Sequence, residues 1–278
     1  EVDETDLFAA ADEDAYATSQ FGVVGLKHNL LIDDKTYVRT IVSFSTAGNV
    51  FDQFRFFNMD TDEEKRIKYF ETDNTENRIS FSSFVNRKFN AKWTIRAGVL
   101  VEKFNSNLSA NTRENRPDRD EDGNPDWATL YDFDGNATLA QVYAQTQYKL
   151  SKKWTLNVGL HLQYYDLNEK TAVEPRAAVN YHVNENQTIN LGYGLHHQTQ
   201  PIPIQLLEEE IRSGVFEQTN IDLDFTQSHH FVLGYDVKLG NNWRTKLEAY
   251  YQDINKVPVE RFTSSFSILN IGDDFGFS

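Results

Sequence analysis

Apolar and polar residues alternate with a period of two through most of the chain. The clearest run begins at Trp154. Trp154, Leu156, Val158, Leu160, Leu162 and Tyr164 are apolar, and Thr155, Asn157, Gly159, His161 and Gln163 between them are polar or tiny. Successive side chains of a strand point to opposite faces, so such a run is a strand with one apolar and one polar side. Val173, Ala177, Val179, Tyr181 and Val183 alternate in the same way with Glu174, Arg176, Asn180 and His182. The pattern returns from Ile189 to Leu195, from Phe231 to Leu239 and from Trp243 to Tyr251. Short polar turns separate the runs: Asp33-Asp34, Asn90-Ala91-Lys92, Ser151-Lys152-Lys153, Asn184-Glu185-Asn186 and Gly240-Asn241-Asn242. Polar residues beside Asn or Gly between alternating runs signal hairpins.

These signals predict an all-β chain, an antiparallel up-and-down meander of about ten strands at 20–32, 35–57, 66–90, 93–108, 137–151, 153–168, 172–184, 187–199, 224–240 and 242–257. The connections are unequal. They are tight at one end of the meander and run from short (Asn168 to Thr171) to long and acidic (109–136) at the other. Residues Ile204 to Arg212 (IQLLEEEIR) read as a helical turn within one long connection.

Composition changes this picture in three ways. The chain is 39% hydrophobic, and no stretch approaches the ~20 apolar residues of a spanning helix. It has no Cys, which removes disulfides, thiolate metal sites and Cys nucleophiles. The net charge of −15 argues against nucleic acid as a partner, because phosphate binding needs clustered Lys and Arg. That charge is concentrated. Residues 1–17 hold seven acids and no Lys or Arg, 58–76 carry net −4 and 109–136 net −5, leaving the remainder near neutrality. All three segments read as solvated loops.

A sheet with one apolar face can turn that face inward to a core or outward to lipid. Three features favour lipid. The polar face carries both signs of charge on neighbouring strands: Glu174, Arg176, Asp236, Lys238, Arg244, Lys246 and Glu248. Three of the four Trp (Trp93, Trp154, Trp243) follow tight turns directly, as an interfacial girdle requires. Tight turns at one end and long loops at the other match the two sides of an outer-membrane barrel. The strands also exceed the ~9–11 residues needed to cross, so they would project beyond the outer surface.

The stretches FGVVGLKHNLLIDDKTYVRTIVSFS (21–45), EPRAAVNYHVNENQTINLGYGLHHQTQPIP (174–203), FTQSHHFVLGYDVKLGNNWRTKLEAYYQDINKVPVE (225–260) and FSILNIGDD (266–274) resemble the barrel of TonB-dependent outer-membrane receptors. The variety is the Bacteroidetes type with a carboxypeptidase-regulatory-like N-terminal domain. The resemblance implies an internal piece of a 22-stranded transmembrane barrel. Residues 1–19 would be an acidic outer loop, 20–257 strands and loops, and 258–278 the start of the next outer loop or strand. It implies as partners the outer-membrane lipid, the rest of the barrel, a plug domain and TonB, the last two engaged by segments outside this chain. The cargo would be a nutrient of siderophore, oligosaccharide or peptide class, taken up at the bacterial outer membrane, and the chain would not be an enzyme. An open sheet of ten strands would have two unpaired edges and would not close alone.

One local motif offers chemistry. In DRDEDGNPD (118–126), Asp118, Asp120, Asp122, Asn124 and Asp126 surround Gly123, a spacing of oxygen donors suited to Ca²⁺. The twelfth position is Thr129 rather than the Glu of an EF-hand, and a solvated acidic loop is the alternative. The pairs His196-His197 and His229-His230 cannot each chelate one metal from a regular strand, because adjacent residues face oppositely. His196 and His229 are placed to meet near the loop end. Two other readings compete. A ten-stranded outer-membrane protease would draw on His196, His197 and Asp224 to activate water. A soluble β-barrel or sandwich would bind a ligand in an apolar core.

Overall fold

In the computed structural model, the described residues are 12–59, 64–113, 118, 123–212, 214–240, 242–259 and 267–271. Ten long strands form one antiparallel sheet: β1 (Glu13–Asp33), β2 (Thr36–Phe57), β3 (Lys65–Lys88), β4 (Trp93–Thr112), β5 (Ala128–Lys149), β6 (Trp154–Tyr165), β7 (Lys170–Asn184), β8 (Gln187–Gln198), β11 (Thr226–Leu239) and β12 (Trp243–Asn255). Each pairs with its neighbour in the chain. The one insertion lies between β8 and β11, where a short helix α1 (Ile202–Gln205) and a small hairpin, β9 (Glu208–Arg212) with β10 (Val215–Gln218), intervene. A second short helix, α2 (Ile268–Ile271), follows an isolated bridge between Val259 and Ser267. Among the described residues β1 and β12 do not pair with each other, so the sheet is open with two free edges.

The tight turns form where the alternation stops, and side chains hold them. Asp33 Oδ1 accepts the Lys35 N–H (2.8 Å). Asn90 Oδ1 accepts from the Lys92 and Trp93 N–H groups (2.8 and 3.0 Å), and Ser151 Oγ from Lys153 and Trp154 (3.1 and 3.2 Å). Asn184 Oδ1 accepts from Asn186 N–H (2.9 Å). Asn, Asp and Ser supply these bonds because their short side chains reach the backbone two or three residues on.

Cross-strand partners share a face, so the register defines both sides of the sheet. One row runs Val38, Val85, Ala97, Ala144, Leu160, Pro175. This apolar face is uncovered: Leu160 is 46% exposed, Val142 46%, Leu191 59% and Leu233 53%. A soluble protein would bury such a surface; here it is free to meet lipid. The apolar band begins at the tight-turn end with Trp93, Tyr148, Trp154 and Tyr181. It gives way to Lys103, Thr138 and Thr171 at the other end. About nine residues at ~3.3 Å each, tilted ~40°, cover roughly 25 Å, the height of an outer-membrane barrel's apolar belt. The predicted girdle is present. Phe89 stacks on Trp93 at 4.6 Å, Trp154 packs on Tyr181 at 4.5 Å, and Trp93 Nε1–H donates to Thr146 Oγ1 at 2.8 Å.

Three expectations change. Described parts of the acidic segments are the outer ends of long strands: β1 begins at Glu13 rather than residue 20, β3 spans Lys65–Lys88, and β5 begins at Ala128 rather than 137. Beyond the apolar belt neither face is set against lipid, so the alternation is lost while the backbone ladder continues. Cross-strand pairs replace it: Arg55 with Glu13 (2.8 Å), Lys68 with Asp52 (2.8 Å), and Arg66 with Asp14 (3.3 Å). The helical turn sits at Ile202–Gln205, ahead of the expected 204–212, whose second half is strand β9. Residues 258–278 include α2, not only loop and strand.

Candidate functional site

The polar face is the site. Glu174, Arg176, Asp236, Lys238, Arg244, Lys246 and Glu248 all lie on it, as the alternation predicts. Opposite charges meet across and along strands: Asp236 holds Arg244 on the neighbouring strand, Lys246 holds Glu248 at 2.7 Å, and Glu102 holds Arg78 at 3.5 Å.

At the outer half of this face lies a buried carboxylate. The Glu174 side chain is 3% exposed. Its Oε2 accepts from His161 Nδ1 (2.8 Å) and an Arg176 guanidinium nitrogen (2.7 Å). Its Oε1 accepts from Gln163 Nε2 (3.3 Å) and the His197 backbone N–H (2.6 Å). The cause is local. Pro175 has no N–H to give the β7–β8 ladder, and pairing of those strands ends at Arg176–Gly194. Glu174 then takes up the His197 N–H that the broken ladder leaves over. A buried carboxylate needs such a complete set of donors.

Above this cluster the segment 199–225 folds onto the wall. Ile204 and Leu206 are 1% exposed. Leu206 packs with Leu108, Ala110 and Tyr131, and Phe225 with Ala137, Tyr165 and Ala172. The buried core of the chain thus sits at the mouth, on the polar-face side. Polar ties fix the segment: Asn168 Nδ2 to Leu223 O (2.8 Å), Gln200 Nε2 to Asp224 O (2.8 Å), and Lys256 Nζ to Asp224 Oδ2 (2.6 Å). The hydrogen bond from the Lys256 ammonium holds the Asp224 carboxyl below the usual carboxylate range. A depressed folded pKa stabilises above the unfolded value, ~3.9, and the contribution is lost as pH falls through the folded one. Hydrogen exchange of 199–225, taken relative to the intrinsic amide rate at each pH, is therefore expected to stay slow from neutral pH down to about pH 4 and to rise a few-fold below it. In Asp224→Asn it should already be fast at pH 7. Equal exchange in both proteins would show that the tie does not hold the segment.

The sequence-predicted residues are placed as follows. Of the acidic motif, Asp120 and Asp122 lie outside the described residues. The Asp118 carboxylate accepts the Gly123 N–H (2.9 Å), and the Gly123 carbonyl accepts from Lys65 Nζ (2.6 Å). Asn124 and Asp126 lead into β5. Among the described residues no group of three His, Asp or Glu is arranged to hold a metal. His196 does not meet His229. Its cross-strand partner is Ser228, so it shares a face with His230, and those two rings lie 4.5 Å apart. His229 is on the other face, where its Nδ1 meets the Tyr193 hydroxyl at 3.0 Å. His196, His197 and Asp224 do not form one constellation: His197 lies against Glu174, His196 against His230, and Asp224 is bonded to Lys256. The Glu174 cluster was missed by sequence reasoning. Its one visible signal is Glu174-Pro175-Arg176 inside an otherwise regular strand.

Comparison with known proteins agrees with this architecture. Residues 2–274 match the profile of the family described as TonB dependent receptor-like, beta-barrel. No curated protein matches the sequence. Among solved structures, the copper transporter OprC has a TM-score of 0.60 at 10% identity over 86% of this chain and 39% of its own. The ferric-catecholate import receptor Fiu from Escherichia coli K12, in its closed form, has 0.58 at 12% identity over 91% of this chain and 43% of its own. The RagAB peptide transporter has 0.58 at 11% identity over 92% and 32%. The chain therefore spans less than half the length of these structures, and at such identities they show the fold. With a profile match over nearly its whole length, the chain belongs to the β-barrel family of TonB-dependent receptors, proteins of the bacterial outer membrane.

Proposed function

We propose that this chain is part of the wall of a receptor that imports a nutrient across the outer membrane, with energy delivered through TonB to a plug domain inside the barrel. The observation that carries this reading is the two-sided sheet: an uncovered apolar belt on one face, charged and hydrogen-bonded groups on the other, and strands of up to 24 residues that project past the belt. The free edges of β1 and β12 leave room for further strands to complete the barrel. The fold neighbours are by their titles a copper transporter, a ferric-catecholate import receptor and a peptide transporter, so the cargo is sought first among metal species and peptides, and then among the oligosaccharides that the sequence resemblance adds. We read the chain as non-catalytic, since His196, His197 and Asp224 each meet a different partner rather than one another.

The test is uptake. A strain lacking the receptor and a strain lacking TonB would be given labelled ferric siderophores, oligosaccharides and oligopeptides at nanomolar concentration. Accumulation of at least one of these is expected to fall more than ten-fold in both strains and to return with the receptor gene. Unchanged uptake of every compound in the receptor-less strain would refute the reading.

A further inference from the structure

One row of cross-strand partners crosses the polar face from β2 to β12: Tyr37, Asn86, Arg96, Gln145, Gly159, Arg176, Gly194, His230, Gln252. Around it lies a concavity of about 550 Å³. Its floor is low where Gly159, Gly192 and Gly194 present no side chain, and the His196 ring folds back to 2.7 Å from where a Cβ of Gly194 would stand. Its charged lining is Arg96, Arg176, His196 and His230, its amides include Asn86, Gln145 and Asn157, and among the described residues no carboxylate lines it. In a chain of net charge −15 this is the reverse of the general balance.

The cations here are also incompletely matched. Arg78, Arg244 and Lys246 on the same face each meet a carboxylate. Arg176 gives one nitrogen to Glu174 and remains 47% exposed. Arg96 meets no carboxylate among the described residues. Its Nε is buried without an acceptor, and its strongest contacts are the Phe84 ring (4.7 Å) and a long hydrogen bond to the Tyr37 hydroxyl (3.5 Å). Arg39, over the same ring at 5.6 Å, donates to Asn29 and meets no carboxylate among the described residues. A buried guanidinium nitrogen without an acceptor is costly, and a planar fork of donors matches a carboxylate.

We propose that this concavity is a carboxylate-binding site, with Arg96 as its principal anchor and Arg176, His196, His230 and the amides as its surround. It deepens the transporter reading only in taking the polar face to be a lumen. The carboxylate is carried either by a small molecule in the lumen or by a protein segment lodged there, and the two sources are separable. The volume lies within the ~300–1,000 Å³ of small-ligand sites.

The test uses the complete receptor in detergent, with binding read directly so that a failure of uptake leaves the result interpretable. Succinate is titrated calorimetrically at constant ionic strength beside the neutral succinamide, and a high-resolution structure of the complete receptor is determined. If the source is a small molecule, succinate binds, succinamide does not, and Arg96→Gln weakens succinate at least ten-fold while Arg96→Lys retains part of the affinity. If the source is a lodged segment, a carboxylate of the receptor lies within 3.5 Å of Arg96 Nε, and Arg96→Gln speeds proteolysis of that segment at least ten-fold. His230→Gln, away from the Arg96–Phe84 contact, should weaken the same signal several-fold. Heat-resistant migration on unheated gels confirms that each variant is folded. Succinate affinity unchanged in folded Arg96→Gln, together with no carboxylate near Arg96 in the complete receptor, would overturn the proposal.

Discussion

Leu160→Arg is expected to destabilise the folded receptor by about 2–4 kcal/mol, the cost of a cation on the lipid face near the bilayer midplane. Leu160 lies midway along the apolar belt of β6, in the row Ala97, Ala144, Leu160, Pro175. Nothing in that row offers a carboxylate, and an arginine there is too far from either interface to reach water without thinning the lipid. Ser82→Arg is the control. Ser82 pairs with Ile41 and Leu100 on the opposite face, where Arg78 and Glu102 already lie nearby. A new guanidinium there stays in a polar lumen and should cost less than about 1 kcal/mol. Urea midpoints for refolding into lipid vesicles measure both. If the two variants lose equal stability, or if Ser82→Arg is the worse, the assignment of the faces is wrong.

Glu174→Ala is expected to cost about 3–5 kcal/mol, and Glu174→Gln about 2–3 kcal/mol. The carboxylate accepts four hydrogen bonds from a site where it is 3% exposed. Alanine removes both acceptor oxygens and leaves His161 Nδ1 and the His197 N–H buried without partners, while Gln163 keeps its bond to the His197 carbonyl (3.1 Å) and Arg176 turns to water. Glutamine keeps the shape and one acceptor oxygen but turns an NH₂ toward donors. Arg176→Gln should be milder, under about 2 kcal/mol, because Arg176 is half exposed and water replaces its partner. The cluster also ties β8 to β7 above the Pro175 break, so Glu174→Ala should increase protease cleavage within 199–225 before it unfolds the sheet. Denaturant midpoints for the three variants, with cleavage rates, check this. An alanine variant as stable as the parent would show that the buried carboxylate is not a structural tie.

Where the structure departs from the pattern along the chain, the physical cause is identifiable. The outer strand ends at 13–17, 65–76 and 128–136 read as loops along the sequence because alternation fades there. Alternation reports a boundary between lipid and water, and past the belt the strands run on without lipid on either side. The pairing of His196 with His230 rather than His229 depends on register. A strand's parity is visible in the sequence, but the offset between two strands joined through a 27-residue connection is not. The turns at Asp33, Asn90, Ser151 and Asn184 were legible because a tight hairpin fixes its own register and its chemistry is contained in two or three residues.

By itself the sequence determined the ten-strand meander, the short turns, the two unlike faces and the Trp girdle, because each follows from contacts between residues close in the chain or from the period of one strand. The tertiary structure decided which polar groups meet. The Glu174 cluster draws on β6, β7 and β8, and the carboxylate-free concavity draws on strands from β3 to β11. Such sites arise from the offsets of many strands at once, and those offsets are set by packing, by the Pro175 break and by the folding of 199–225 onto the wall. None of these is encoded at a spacing short enough to read along the chain.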